Sequence, residues 1–172
     1  ISLHLDHLGS QWYVDWMPAK TKSITGCTGA FVYTNGKFTE VYPKTDHGGA
    51  SASDSLNEFC QDVGIPGKLK SDLAKEFVGP KSEFNKLARR RQIDLTYAEA
   101  ERTNEVFAVD IEIREMKKRW HSKMVAKSVP KRLWDFGLKH TTKIMQRLPR
   151  SPENRTGYEI VTGKTPDISE FC

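Results

Sequence analysis

Cysteine is scarce in this chain of 172 residues. Cys27, Cys60 and Cys172 form no C-x-x-C pair, and their odd number leaves one over, which argues against a disulfide framework and against a thiolate zinc site. Reduced thiols, and with them an intracellular setting, are the expectation. Long apolar runs are missing too. None approaches the roughly 18 residues that a membrane-spanning helix needs, and no basic-then-apolar leader opens the chain, so no membrane partner is expected. There is no internal repeat and no low-complexity tract. The chain opens without methionine and stops at Glu170-Phe171-Cys172, and it is read as a piece of something longer. Acidic residues are the minority, 22 against 27 Lys and Arg, and the imbalance is local. Residues 1–60 hold 4 basic and 6 acidic side chains, whereas 86–132 hold 13 basic and 7 acidic ones, a regional positive charge that suits a polyanionic partner.

Among those few acids, three stand out. Trp12-Tyr13-Val14-Asp15-Trp16-Met17 has the aromatic and β-branched composition of a strand, ends at Pro18, and by its period of two puts Tyr13, Asp15 and Met17 on one face. The runs 28–33 and 37–42 flank Asn35-Gly36, a strong hairpin signal, so three antiparallel strands open the domain. Ser53 or Asp54 is placed to cap a helix running to Val63, with Leu56, Phe59, Cys60 and Val63 at helical spacing. Gly64-Ile65-Pro66-Gly67 breaks it. Residues 68–72 then read as a strand parallel to the first, with Asp72 at its end, where the functional side chains of α/β folds project.

A helix over 82–91, a strand over 93–97 and long helices over 104–127 and 130–148 complete the pattern. On the first long helix Val106, Val109, Ile113, Met116 and Trp120 define the face toward the sheet; Asp110 borders that face, and Glu112 and Glu115 are expected to point away from it. Asp15, Asp72 and Asp110, at intervals of 57 and 38 residues, are thus the candidate catalytic and metal-binding carboxylates. Asp6 is the rival for the first position. Gathered carboxylates repel one another unless divalent cations lie between them, which points to metal-dependent phosphoryl transfer. Candidate nucleic-acid contacts are Lys75, Arg89, Arg90 and Arg91, and the strip Arg114, Lys117, Lys118 and His121 beside Asp110. The bland alternatives are a turn aspartate at Asp72, an Asp110–Arg114 surface pair and solvated charge runs. Three strands, helix, strand, helix, strand, then helices is the order of an RNase H-like α/β domain with a mixed five-stranded sheet. Its limits are placed at 12–148, with an N-terminal edge over 1–11 and an irregular tail over 149–172 packed on the last helices.

Several of these runs together resemble the integrase catalytic core of LTR retrotransposons: Trp12-Tyr13-Val14-Asp15 with Lys20-Thr21-Lys22-Ser23, the hairpin Asn35-Gly36-Lys37-Phe38, and Val63-Gly64-Ile65-Pro66 before Ser71-Asp72-Leu73-Ala74-Lys75-Glu76-Phe77. Ile113-Arg114-Glu115, Pro130-Lys131-Arg132-Leu133-Trp134-Asp135 and the stretch from Arg155 to Ser169 extend the similarity over nearly the whole chain. The resemblance implies that Asp15, Asp72 and Asp110 hold two Mg²⁺ or Mn²⁺ ions for processing element DNA ends and joining them to target DNA. It further implies a homo-oligomer, other polyprotein domains and action in the nucleus. The chain departs from the family's pattern at Leu73, where Asn is usual, and at Asp110, where Glu is usual. Two alternatives stay open: a nucleic-acid-binding or assembly module that kept the fold without catalysis, and an RNase H-type hydrolase acting on RNA.

Overall fold

The computed structural model describes residues 10–72, 77–79, 82–98, 107–149 and 155–171, apart from the side chains at 107, 108 and 170. Asp6, Leu73, Lys75, Glu76 and the segment 104–106 therefore lie outside the described residues. The five strands are β1 (Gln11–Pro18), β2 (Gly29–Thr34), β3 (Thr39–Lys44), β4 (Lys68–Ser71) and β5 (Asp94–Tyr97). They form one sheet in the order β3-β2-β1-β4-β5, antiparallel over the first three and parallel over β1, β4 and β5. The β2–β3 hairpin closes where the sequence requires it. Gly36 adopts φ +83°, and the Asn35 side-chain oxygen accepts from the backbone N–H groups of Lys37 (3.0 Å) and Phe38 (2.8 Å).

The helices are α1 (Gly49–Asp62), α2 (Glu83–Arg90), α3 (Phe107–Ala126), α4 (Trp134–Arg147) and α5 (Gly157–Thr162), with 3₁₀ turns at Lys131–Leu133 and Ser169–Phe171. Because side chains alternate across a strand, the sheet has two apolar faces. Trp12, Val14, Phe31 and Tyr33 pack on Leu56 and Phe59 of α1 and Phe84 and Ala88 of α2. Met17, Ala30, Val32 and Val41 pack on Val109, Ile113 and Met116 of α3 and Trp134, Leu138 and Met145 of α4. Asp15 belongs, with Tyr13 and Met17, to the side that α3 covers.

Three expectations need correction. Helix α1 starts at Gly49, ahead of the predicted caps. Asp46 organises its entry by accepting from Gly48 N (2.7 Å) and Ser51 Oγ (2.9 Å), and Asp54 is instead a helix residue ion-paired with Lys44. Glu112 does not point away from the sheet. It lies three residues after Val109 and four before Met116, so it shares their face, is buried, and accepts from Thr39 Oγ1 at 3.2 Å. The tail is not wholly irregular: α5 is a short helix whose Val161 joins the core beside Phe38.

Candidate active site

Parallel pairing of β1 with β4 sets the site. The last registered pair is Val14 with Ser71, so Asp15 and Asp72 follow side by side at the carboxyl edge of neighbouring strands, which run about 4.8 Å apart. Asp15 is half-buried, and its Oδ1 accepts from Trp16 N at 2.7 Å, an interaction that fixes the carboxylate. Burial pushes the Asp15 carboxyl up to about 6, the Trp16 N–H pulls the other way, and the negative charges of Asp72 and Asp110 add to the rise while Lys117 opposes it. The fold thus brings Asp72, at the end of β4, and Asp110, in the first turn of α3, each within electrostatic reach of Asp15 on β1. Among the described residues, no three His, Cys, Asp or Glu side chains converge closely enough to ligate one ion. Three carboxylates, two of which repel the third, are nonetheless a donor set of hard oxygens that fits Mg²⁺ or Mn²⁺, since a divalent cation removes that repulsion.

The basic candidates divide by position. Arg114, Lys117 and His121 are exposed on the flank of α3 that carries Asp110, and Lys117 is near enough to act on Asp15. Lys118 turns instead into a groove of about 310 Å³ between α3 and α4, with Arg119, Lys123, Ile144 and Leu148, away from the carboxylates. Arg89, Arg90 and Arg91 sit at the end of α2, on the opposite face of the sheet and at the edge where β4 and β5 begin; Arg91 Nη2 donates to Asn57 Oδ1 at 3.1 Å. No ion pair joins Asp110 to Arg114 among the described residues.

Sequence reading missed a buried polar network beneath the sheet's β3 edge. Thr34 and Thr39 hydroxyls lie 2.9 Å apart, Thr39 donates to Glu112, and Gln146 Nε2 donates to the Thr39 carbonyl and to Glu40 Oε2 (2.9 Å). Burial raises the Glu40 carboxyl above its ordinary value, against the Gln146 and Val41 donors. The network joins α3 and α4 to β3 and so holds the helix that carries Asp110. The two threonines flanking the Asn35-Gly36 turn were its sequence signal.

No family model matches the chain, and no curated protein matches it in sequence. Solved structures do match. The HTLV-2 integrase catalytic core domain in complex with magnesium, in a trimeric form, has a TM-score of 0.70 at 15% identity over 89% of this chain and 96% of that one. The catalytic core domain of BIV integrase gives 0.70 at 14% identity over 89% and 93%. The simian T-cell lymphotropic virus intasome in complex with PP2A regulatory subunit B56 gamma gives 0.75 at 14% identity over 92% of this chain and 56% of that one, so the chain spans little more than half of that protein. The likeness covers the sheet and its helices, and the fold of the chain is that of an integrase catalytic core.

Proposed function

We propose that the chain is the catalytic core of a retrotransposon integrase, a polynucleotidyl transferase and endonuclease that joins element DNA ends to target DNA. One observation supports the reading: the negative charges of Asp72 and Asp110 both act on Asp15 at the carboxyl edge of the central parallel strands, where burial, with their help, raises the Asp15 carboxyl to about 6. These three would hold divalent metal, which when bound supplies Lewis-acid stabilisation of the phosphoryl oxygens and lowers the pKa of the attacking hydroxyl or water. The chain's own contribution is positioning. The Trp16 N–H orients Asp15, and the network through Glu112 and Thr39 holds α3 and with it Asp110. Arg114, Lys117 and His121 line the flank on which a phosphate backbone would lie. No side chain need act as a nucleophile, because the attacking oxygen comes from water or from a DNA end.

The HTLV-2 integrase cores are described in complex with magnesium in trimeric and dimeric forms, which supports metal use and self-association for this chain; a DNA partner is part of the same proposal. Other polyprotein domains and action in the nucleus belong to the same reading. A second reading, a DNA-binding or assembly module without catalysis, is favoured by Leu73, by the short side chain of Asp110 and by the lack of a convergent three-ligand group among the described residues. A strand-transfer assay with Mn²⁺ separates the two: wild type joins ends and Asp72→Asn does not. Equal activity in both ends the enzyme reading, DNA binding without turnover in wild type supports the module, and cleavage of an RNA–DNA hybrid in preference to DNA supports the RNase H-type hydrolase.

A further inference from the structure

We infer that the β1–β2 loop and the turn before α4 form one preassembled phosphate-binding corner, along which duplex DNA held at the carboxylates continues; the inference rests on the DNA reading above. The loop is built rather than slack. Ala19 N donates to the Thr28 carbonyl at its base (2.9 Å), Ser23 N to the Cys27 carbonyl (2.9 Å), and Cys27 N to the buried Ser23 hydroxyl (2.9 Å). It is then clamped to a segment more than a hundred residues away. Ile24 N donates to the Arg132 carbonyl at 2.8 Å, and the Thr25 hydroxyl donates to Asp135, which is buried at the start of α4 and also accepts from Phe136 N (2.9 Å).

What the clamp presents to solvent is positive. Lys20 and Lys22 from the loop, and Lys131 and Arg132 from the turn, are all exposed, and among the described residues none of the four is ion-paired. The one carboxylate at the clamp, Asp135, is buried and spent on Thr25 and Phe136. Exposed Ile24, two residues after Lys22, and Phe136, four after Arg132, offer apolar contact to sugars. Four cations on one fixed frame raise the local positive potential, which favours a polyanion.

The location selects the polyanion. Pro18 lies three residues, about 10 Å, beyond Asp15 along β1, so the loop starts past the same edge as the carboxylates. Helix α3 packs on β1 and β2, carries Arg114, Lys117 and His121, and ends in the turn that contains Lys131 and Arg132. Flank and corner therefore form one basic track leading away from Asp15 and Asp110. A duplex, with a phosphate charge about every 1.7 Å of axis, matches a track of this length better than a local acidic peptide does.

Fluorescence anisotropy with a labelled duplex of about 20 base pairs over a salt series tests this on the 172-residue chain. Each of the doubles Lys20→Ala with Lys22→Ala and Lys131→Ala with Arg132→Ala is expected to lower the log–log salt slope by about 1.8, roughly 0.9 per phosphate contact. The charge-matched control Lys37→Ala with Lys164→Ala, away from the corner, keeps the wild-type slope. Lys20→Arg with Lys22→Arg also keeps it, which separates lost charge from a disturbed loop. Unchanged slopes in both corner doubles, alongside a fall for Arg114→Ala with Lys117→Ala, overturn the corner and leave the DNA reading standing. A fall of equal size in the control also overturns it, as unspecific charge loss. No salt-dependent binding by wild type overturns both.

Discussion

Asp15 is where sequence, electrostatics and function meet. Alternation along β1 marked it as a carboxylate on a sheet face, and the end of β4 marked Asp72; what the sequence withheld was their mutual effect, because that depends on register and burial. In the folded chain the Asp15 carboxyl titrates at about 6 against an ordinary 3.8, so the folded state binds its proton more tightly than the unfolded state does. Its contribution to stability is therefore complete below about 3.8 and is lost as pH rises to about 6. A shift of about two units corresponds to roughly 3 kcal/mol. Asp15→Asn is expected to melt higher than wild type at pH 7 without added metal, and to lose that advantage near pH 4; a lower melting temperature at pH 7 contradicts an unfavourable buried charge at Asp15. Mg²⁺ or Mn²⁺ should raise the melting temperature of wild type and leave that of Asp15→Asn unmoved. Asp110 bears on the same balance through its length. Because no three ligands converge among the described residues, one added methylene is the economical repair, and Asp110→Glu is expected to increase the metal-induced stabilisation. A smaller metal-induced shift in that variant would mean that α3 already lies close enough for Asp.

At the scale of elements, the parts read correctly from sequence are those whose signal is local: the alternation in β1, the Asn35-Gly36 hairpin and the helix over 82–91. That helix is capped by Ser82, whose side chain accepts from Asn85 N, and the expected five-stranded mixed sheet is present with β4 parallel to β1. The parts misread depend on partners far along the chain. The spacing of Glu112 from Val109 and Met116 already puts it on the sheet-facing side; the charge argued the other way, and only the Thr39 hydroxyl, 73 residues away, shows how a carboxylate is accommodated there. Helix α5 is too short for periodicity, but Thr156-Gly157-Tyr158-Glu159 spells a capping box, and the structure shows it: Glu159 N donates to Thr156 Oγ1 (3.0 Å) and Thr156 N to Glu159 Oε2 (2.8 Å). Gly157 follows directly, so close to the hairpin that an added Cβ would come within 2.3 Å of the Lys37 carbonyl oxygen. The cap thus fixes a helix docked on β2–β3. Thr156→Ala should cost about 1 kcal/mol, read as a lower urea midpoint at unchanged m-value, and an unchanged midpoint would show that α5 adds nothing to the fold.

The distribution of charge over the whole molecule decides how DNA can be engaged. The run Arg89, Arg90 and Arg91 was legible as a basic cluster, but its position was not, because nothing in a run of like charges says which edge of a sheet will receive it. It lies where β4 and β5 begin, four residues along β4 from Asp72, at least about 13 Å away and on the opposite face. That separation exceeds the screening length of about 8 Å at physiological salt, so the three arginines add little to the potential at the carboxylates. Arg114 and Lys117 are different: Lys117 already acts on Asp15. The two groups should therefore separate by substrate length. On a duplex of about 10 base pairs, near one helical turn, Arg89→Ala with Arg90→Ala and Arg91→Ala is expected to turn over at the wild-type rate, whereas Arg114→Ala with Lys117→Ala raises KM by about tenfold at constant kcat. On duplexes of about 40 base pairs, long enough to bend toward the far edge, the arginine variant should also bind more weakly, with a smaller salt slope. Equal losses on the short duplex would place the arginines on the same DNA path as the carboxylates, which the separation across the sheet forbids.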